Sequence, residues 1–432
     1  MPDVKLKIGL GGVGTVGAAL VRLVADKVDD FAARTGRRPE IVAYSARSPG
    51  DRGLPLGPAV YFADAAEMAA SADIDVFVEL IGGAEGPAYA AVLAALARGA
   101  PVVTANKAML SAHGVALAER AEAQGVALAF EAAVAGGVPV VKTLREALAG
   151  NRIERVSGIL NGTCNYILSR METERLPFEV CLKEAQRFGY AETDPTFDIG
   201  GFDTAHKLSI LAAIAFGARI DAGAVSVEGI ESITLADLAA ADELGYRIKL
   251  LGVAARTDHG VEQRVHPTMV AKSSALAQTM GVLNAVSIDG DAVGALTLVG
   301  PGAGGAATAS AVASDLADIA RGIVVPAFGR PVAALVENER ASLQRHEGGY
   351  YVRLSVLDRP GSLATIARRM ADRGISLQSL MQRPGERADS SHVAVAIITH
   401  ATTETSIREA LELTVQDGVV SDKPQVIRIE RP

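Results

Sequence analysis

Tryptophan is absent from the 432 residues and aromatics make up only 4%, so the interior must be packed from Ala, Val, Leu and Ile. There are two cysteines, Cys164 and Cys181, too few for a disulfide framework and consistent with a reducing cytoplasm. No apolar run reaches the ~18 residues of a membrane span. The opening MPDVKLKIGLGG has only a short apolar stretch before its glycines and does not read as a signal peptide. Positive charge is not in excess either. With 42 Lys+Arg against 50 Asp+Glu the net charge is −8, so no general basic surface invites nucleic acid. What remains, 49% hydrophobic and 21% charged residues with 44 glycines, is the composition of a globular protein. At ~100–200 residues per domain the length implies two to four domains. A soluble, cytoplasmic, multidomain protein is expected.

The first ~130 residues alternate strand and helix patterns, as in a parallel sheet covered on both faces. Strands are predicted at 5–10, 41–45, 74–80, 102–104 and 126–131. A helical stripe runs through Val16, Leu20, Leu23, Val24, Val28 and Phe31, and a second helix spans 87–98 with Pro87 early and Gly99 just past its end. From about 135 the pattern changes to α+β: strands at 155–160, 229–233 and 250–253, helices at 178–189 and 204–216. TLVGPGAGG (297–305) reads as a loop before an Ala-rich helix, 306–321, and the charged, Pro-containing stretch after it reads as a linker. Residues 349–432 then follow a β-α-β-β-α-β order, which is ferredoxin-like.

Gly12, Val13, Gly14, Thr15, Val16 and Gly17 form G-x-G-x-x-G between a strand and an amphipathic helix. In that context the first glycine makes the tight turn, the second admits a pyrophosphate, and the third lets helix and strand pack closely. An acidic residue selecting NAD is expected at the end of the second strand, and IVAYSARS (41–48) has none. Arg47 and Ser48 suit a 2′-phosphate instead, so NADP is favoured over NAD.

Further along, GYAETDP (189–195) leads through Asp198 to GGFDTAHKLSIL (200–211). Asp203 and Lys207 are four apart and share a helix face whose continuation, Ile210, Leu211 and Ile214, is apolar. A lysine on such a face is costly unless paired or used, and Asp203 and Lys207 form a candidate proton-transfer pair; a surface ion pair is the plainer alternative. TANK (104–107) places Lys107 at the carboxyl edge of the nucleotide-domain sheet, where ligands of such sheets bind. NGTCNY (161–166) offers backbone donors and hydroxyls to a small polar ligand. EAAVAGGV (131–138) is a glycine-rich turn whose carbonyls, with Glu131, suit a monovalent cation.

Together GLGGVGTVG, VELIGG (78–83), TANK, NGTCNYIL, GYAETDPTFDIGGFDTAHK and DLAAADELGYRIKLLG (237–252) resemble homoserine dehydrogenase, in order and over essentially the whole chain. The tail, with LDRPGSL (357–363), resembles an ACT domain, a small amino-acid-sensing module. The resemblance implies an α/β protein with a Rossmann-type nucleotide-binding domain at 1–134, completed by a returning segment at 300–330. It further implies an α+β catalytic and dimerisation domain at 135–299, a linker at 331–347 and an ACT domain at 348–432. The implied reaction is reversible hydride transfer between NAD(P) and the homoserine/aspartate 4-semialdehyde pair. Lys207 matches the catalytic lysine, Asp203 the acid that organises it, and Lys107 the second active-site lysine. Tyr190, Glu192, Asp198, Gly162 and Thr163 match substrate contacts, with Glu192 expected on the substrate amino group. Gly304 matches a glycine closing over the cofactor. Glu131 with the carbonyls of Val134, Gly136 and Val138 matches a sodium-type cation site. In the tail, Asp358, Gly361 and Ser362 fall where an effector carboxylate would meet a helix amino terminus. Threonine is the expected effector, and edge-to-edge pairing of such modules implies a homodimer or tetramer. With no aspartate kinase segment before it, the chain is expected to be monofunctional.

Two other readings compete. A different Rossmann oxidoreductase, such as a sugar dehydrogenase, also carries a lysine after a nucleotide-domain strand, commonly in a Glu-Lys-Pro setting. Here it is Asn106-Lys107-Ala108, and such enzymes leave 189–207 unexplained. A catalytically silent amino-acid sensor would have no need of Lys207, Asp203 and Glu192.

Overall fold

The computed structural model describes residues 4–49, 53–383 and 391–430. Its first sheet contains β1 (Lys5–Gly11), β2 (Arg38–Ser45), β3 (Val60–Phe62), β4 (Val76–Glu79), β5 (Val102–Thr104) and β6 (Leu128–Ala129). The strand order is β3-β2-β1-β4-β5-β6 and every pairing is parallel. This is the doubly wound order, in which the direction of winding reverses at β1/β4 and opens a ligand crevice beyond the carboxyl ends of the strands. Leu6, Ile8 and Leu10 of β1 are fully buried, as a central parallel strand requires. The helical stripe after the glycine loop is two helices, Thr15–Asp26 and Val28–Thr35. Lys27, at φ −117° and ψ 16°, breaks the ladder while the apolar spacing carries on across it, so the break is invisible to periodicity. β3 and the helix Ala65–Ser71 were not anticipated.

The second sheet is larger. It contains β7 (Ile153–Ile159), β8 (Ser226–Val227), β9 (Tyr246–Thr257), β10 (Gly260–Ala271), β11 (Leu283–Gly290) and β12 (Gly294–Pro301). It continues with β13 (Glu347–Leu357), β14 (Leu377–Arg383), β15 (His392–Thr399), β16 (Thr402–Thr403) and β17 (Gln425–Glu430). Its order is β12-β11-β7-β9-β10-β17-β13-β15-β14, with β8 beside β10 and β16 beside β13. Two sequence expectations are corrected here. Residues 229–233 are a turn, not a strand: Ile230 N–H donates to Ile199 O (2.9 Å), and the apolar side chains pack rather than pair. Residues 297–301 belong to β12 and only the glycines beyond them form the loop before the helix Gly305–Ala320.

That helix returns to the nucleotide domain. Ala309, Val312 and Leu316 share a core with Leu20, Val21 and the β1 leucines. Gly305 permits the approach, since a Cβ there would lie 3.0 Å from Thr15 O.

The C-terminal βαββαβ unit forms as expected, with helices Ser362–Asp372 and Glu404–Gln416. It does not hang from a free tether. β17 pairs in parallel with β10 through Thr268–Arg428, Met269–Ile429 and Val270–Glu430. Tyr350, Val352, Leu354 and Val356 pack beneath the unit's own helices, while Tyr351, Ile427 and Ile429 join the main core on the other face. Buried charges reinforce the seam: Arg428 binds Glu404 (2.7 Å) and Glu228 (3.0 Å), and Arg264 reaches Glu430 (3.2 Å). The stretch before β13 is pinned as well, Arg340 gripping Asp221 through two nitrogens at 2.7 and 2.9 Å. No helix among the described residues is long and apolar enough to cross a membrane.

Candidate active site

The glycine loop lies at the β1/β4 switch point. Gly12 has φ +94° and presses on the chain just past β4, where a Cβ would come within 2.4 Å of Leu80 O. A Cβ on Gly17 would lie 2.2 Å from Gly12 O. Gly14, between them, faces open space and begins the helix Thr15–Asp26, whose first turn has no side-chain cap and no acidic residue. Uncapped amides at a helix amino terminus attract anions. A cavity of about 980 Å³ opens there, lined by Gly12, Val13, Gly14, Arg47, Asp64 and Ile81 among others. These features fit a dinucleotide pyrophosphate. Arg47 is exposed on the cavity wall just past β2. Asp64, the one acid on this wall among the described residues, caps the helix Ala65–Ser71 by accepting from Ala66 N (2.7 Å). Gly304, φ +104°, opens the returning helix and has open space where a side chain would stand.

Asp203 sits in the first turn of the helix Phe202–Phe216, which Gly201 opens at φ +87°. Its Oδ2 accepts from Lys207 Nζ (2.7 Å) and Asn161 Nδ2 (2.9 Å), and its Oδ1 lies 3.2 Å from Lys107 Nζ. Lys207 Nζ also donates to Leu160 O at 2.7 Å. Burial alone would push the Asp203 carboxyl up, but Lys207, Lys107 and the Asn161 hydrogen bond outweigh it and hold it at about 2. The face predicted to be apolar is buried at Ile210, Leu211 and Ile214. Lys107 comes from the other sheet: it opens the helix Lys107–Gln124 after β5, behind an Asn106 cap. One carboxylate therefore joins two lysines from the two halves of the molecule.

Of the expected substrate contacts, Asp198 is tied to this cluster through Asn161. Asp198 Oδ1 accepts from Asn161 Nδ2 (2.8 Å), and burial pushes its carboxyl up against that bond. Gly162 opens the helix Gly162–Glu174, so close to Val282 that a Cβ would be 2.8 Å from its carbonyl. The Thr163 hydroxyl is committed to Tyr190 O at 2.6 Å. Tyr190 is partly exposed and stacks edge-on to Tyr166, while Glu192 stands exposed on the turn beyond it.

Two participants were not singled out from sequence. Asn161 joins Asp198 to Asp203 with one amide while its Oδ1 caps its helix on Cys164 N (2.8 Å). Its place at the front of NGTCNY was the available signal. His206, next to Lys207, meets Phe197 edge-on at 5.3 Å with Nδ1 buried and unpaired. Burial, then Lys107, lowers its affinity for a proton.

Glu131 is buried, accepting from Val141 N (2.9 Å) and Lys142 N (2.7 Å), with its own amide donating to Asp315 (2.9 Å). Burial, then Asp315, pushes its carboxyl up to about 7. Ala135 and Gly136 both have φ +55°, folding the Val134–Val138 segment into a tight turn beside it. Among the described residues no group of three or more His, Cys, Asp or Glu is placed to hold a metal ion.

In the C-terminal unit, Gly361 (φ +93°) opens the helix Ser362–Asp372 without a side-chain cap. The Ser362 Oγ is buried and unpaired, and Asp358 N–H donates to Ser391 O (2.9 Å).

The chain matches known proteins along most of its length. Family models described as homoserine dehydrogenase, NAD binding domain, as homoserine dehydrogenase, and as ACT domain match residues 12–131, 139–317 and 350–416. The chain is 42% identical to a homoserine dehydrogenase of Pseudomonas aeruginosa, covering 99% of both. It is 41% identical to one of Neisseria gonorrhoeae, covering 98% of both. A crystal structure of a homoserine dehydrogenase from Thiobacillus denitrificans superposes with a TM-score of 0.93 at 40% identity, over 100% of this chain and 99% of that one. A hyperthermophilic archaeal homoserine dehydrogenase in complex with NADPH matches with a TM-score of 0.63 at 27% identity, over 73% of this chain and 97% of that one. The chain belongs to the homoserine dehydrogenase family of NAD(P)-dependent oxidoreductases.

Proposed function

We propose that the chain interconverts L-aspartate 4-semialdehyde and L-homoserine at the Asp203-bridged lysine pair. The observation that carries this is the single buried carboxylate shared between Lys207 and Lys107. A nicotinamide cofactor, when bound, supplies or takes the hydride. An ammonium has three N–H donors. Asp203 and Leu160 O occupy two on Lys207, leaving one for the substrate oxygen. In reduction Lys207 gives its proton to that oxygen as the hydride reaches the carbonyl carbon; in oxidation its amine takes the proton back. Lys107 orients the substrate from the nucleotide-domain side. Asp198, Tyr190, Gly162 and Thr163 shape the substrate pocket, and Glu192 pairs with its amino group. The test is oxidation of NADPH on adding aspartate 4-semialdehyde, repeated with NADH. Absence of turnover with either cofactor overturns the assignment.

NADP is the proposed cofactor, with Arg47 on its 2′-phosphate and Gly304 closing over it. Charge-assisted hydrogen bonds contribute ~1.5–3 kcal/mol, so Arg47→Ala is expected to raise the KM for NADPH about tenfold or more and leave that for NADH nearly unchanged. Equal losses for both would assign Arg47 another role.

Glu131, with the carbonyls of Val134, Gly136 and Val138, is proposed to hold a monovalent cation. Two buried carboxyl groups, Glu131 and Asp315, lie side by side with the Lys142 ammonium 3.3 Å from Asp315, and burial still pushes both up, a setting that such an ion relieves further.

The proposed domains are 1–134 with 300–330, 135–299, a linker at 331–347, and 348–432, in a dimer or tetramer. Threonine is the proposed effector, held at Gly361, Ser362 and Asp358. The continuous sheet supplies a route for its action: β17, β10, β9 and β7 are neighbours, and β7 leads directly into Leu160 and Asn161. Couplings of this kind change affinity ~5- to 150-fold. Ser362→Ala is expected to blunt threonine inhibition and leave uninhibited turnover intact. Equal inhibition of both proteins would place the effector elsewhere.

A further inference from the structure

Glu79, the last residue of β4, is fully buried. Among the described residues its carboxylate has hydrogen bonds but no ion pair. A buried carboxylate without a cation is costly and persists only where its oxygens are well satisfied. Its Oε1 accepts from Ile81 N (2.7 Å) and Gly82 N (2.9 Å), and its Oε2 from the Thr104 hydroxyl (2.5 Å). Thr104 Oγ1 in turn accepts from Asn106 N at 3.0 Å. Asn106 donates to Gly83 O (2.7 Å) and accepts from Met109 N (3.0 Å), capping the helix that begins at Lys107.

The other arm runs to the cofactor. Leu80 N donates to Gly11 O (2.7 Å), and Leu80 and Ile81, against whose backbone Gly12 is pressed, line the cavity. The same carboxylate thus grips the loop beside the glycine turn and the cap in front of Lys107.

We propose that Glu79 and Thr104 are positioning residues that hold Lys107 in register with the cofactor loop. The inference rests on the role given above to Lys107. Thr104→Val keeps the shape and the β-branched strand residue but removes the hydroxyl that links Glu79 Oε2 to Asn106 N, while Oε1 keeps its hold on Ile81 and Gly82. Displacing a substrate-orienting group by a fraction of an ångström costs on the order of tenfold or more in rate. Thr104→Val is therefore expected to lower kcat for semialdehyde reduction about tenfold, with the NADPH Kd, read by fluorescence titration, within about twofold. Glu79→Gln preserves an acceptor for Ile81 and Gly82 and offers an amide to Thr104, so it should retain most of the activity. In a Lys107→Ala background Thr104→Val should add little, because both act through one group. Unchanged kcat in Thr104→Val, an equal loss of NADPH affinity, or a full further drop in the Lys107→Ala background would overturn the relay. Normal turnover in Lys107→Ala alone would instead overturn the role of Lys107 and the relay with it.

Discussion

Replacing Lys207 by alanine is expected to leave a folded protein that binds cofactor and turns over ~10²–10⁴-fold more slowly. The fold should survive because Asp203 keeps two of its partners, Asn161 Nδ2 and Lys107 Nζ, so no naked charge is left in the interior. Cofactor binding should survive because the glycine loop and its cavity lie on the other sheet. What disappears is the donor proposed for the substrate oxygen, and Lys107, anchored at 3.2 Å to the opposite carboxylate oxygen, starts from a different strand. Steady-state assays with circular dichroism and NADPH titration separate these effects. Near-normal kcat would remove Lys207 from the proton-transfer role.

The second large effect concerns Glu131. Its carboxyl is raised from the ordinary value near 4.5 to about 7, first by burial and then by Asp315. The native state therefore holds this proton more tightly than the unfolded chain. The stabilisation is complete below about 4.5, is lost as the pH rises through about 7, and amounts to about 3 kcal/mol over that window. A monovalent cation at the proposed site would bind the ionised form and should restore stability above pH 7. At a concentration ~100 times its Kd it would contribute about 2.7 kcal/mol. Thermal denaturation at pH 8 in sodium chloride against choline chloride, at equal ionic strength, reads this directly. A higher Tm in sodium is expected, and Glu131→Gln should abolish the difference. Identical Tm values in the two salts would contradict the cation site.

The parts of the molecule that were legible in sequence are those whose chemistry is contiguous. The glycine loop, with its strand before and helix after, declares itself within some thirty residues, and Asp203 and Lys207 share one helical turn. The βαββαβ tail could be read element by element because its strands and helices are short and clearly punctuated. What sequence did not show are juxtapositions across the chain. Lys107 and Asp203 are 96 positions apart, and nothing local in TANK announces that its lysine will meet a carboxylate from the second sheet. Asn161 is one polar residue in a row of them, and only the fold brings its amide between Asp198 and Asp203. The union of β10 with β17 rests on three residue pairs separated by 160 positions, so the tail reads as a detached unit although it extends the catalytic sheet. Residues 229–233 read as a strand through Ile230 and Ile233, but these two are three apart with exposed Glu231 and Ser232 between them, so a turn buries both where a strand would alternate.

The central claim is that the Asp203-bridged lysines receive the reacting oxygen. It is tested most directly by a crystal structure with NADP and homoserine bound together. The homoserine hydroxyl should lie within hydrogen-bond reach, ~2.6–3.2 Å, of Lys207 Nζ, on the side of Asp203 facing Lys107. A hydroxyl held away from both lysines, with the nicotinamide directed at another carbon, would contradict the assignment.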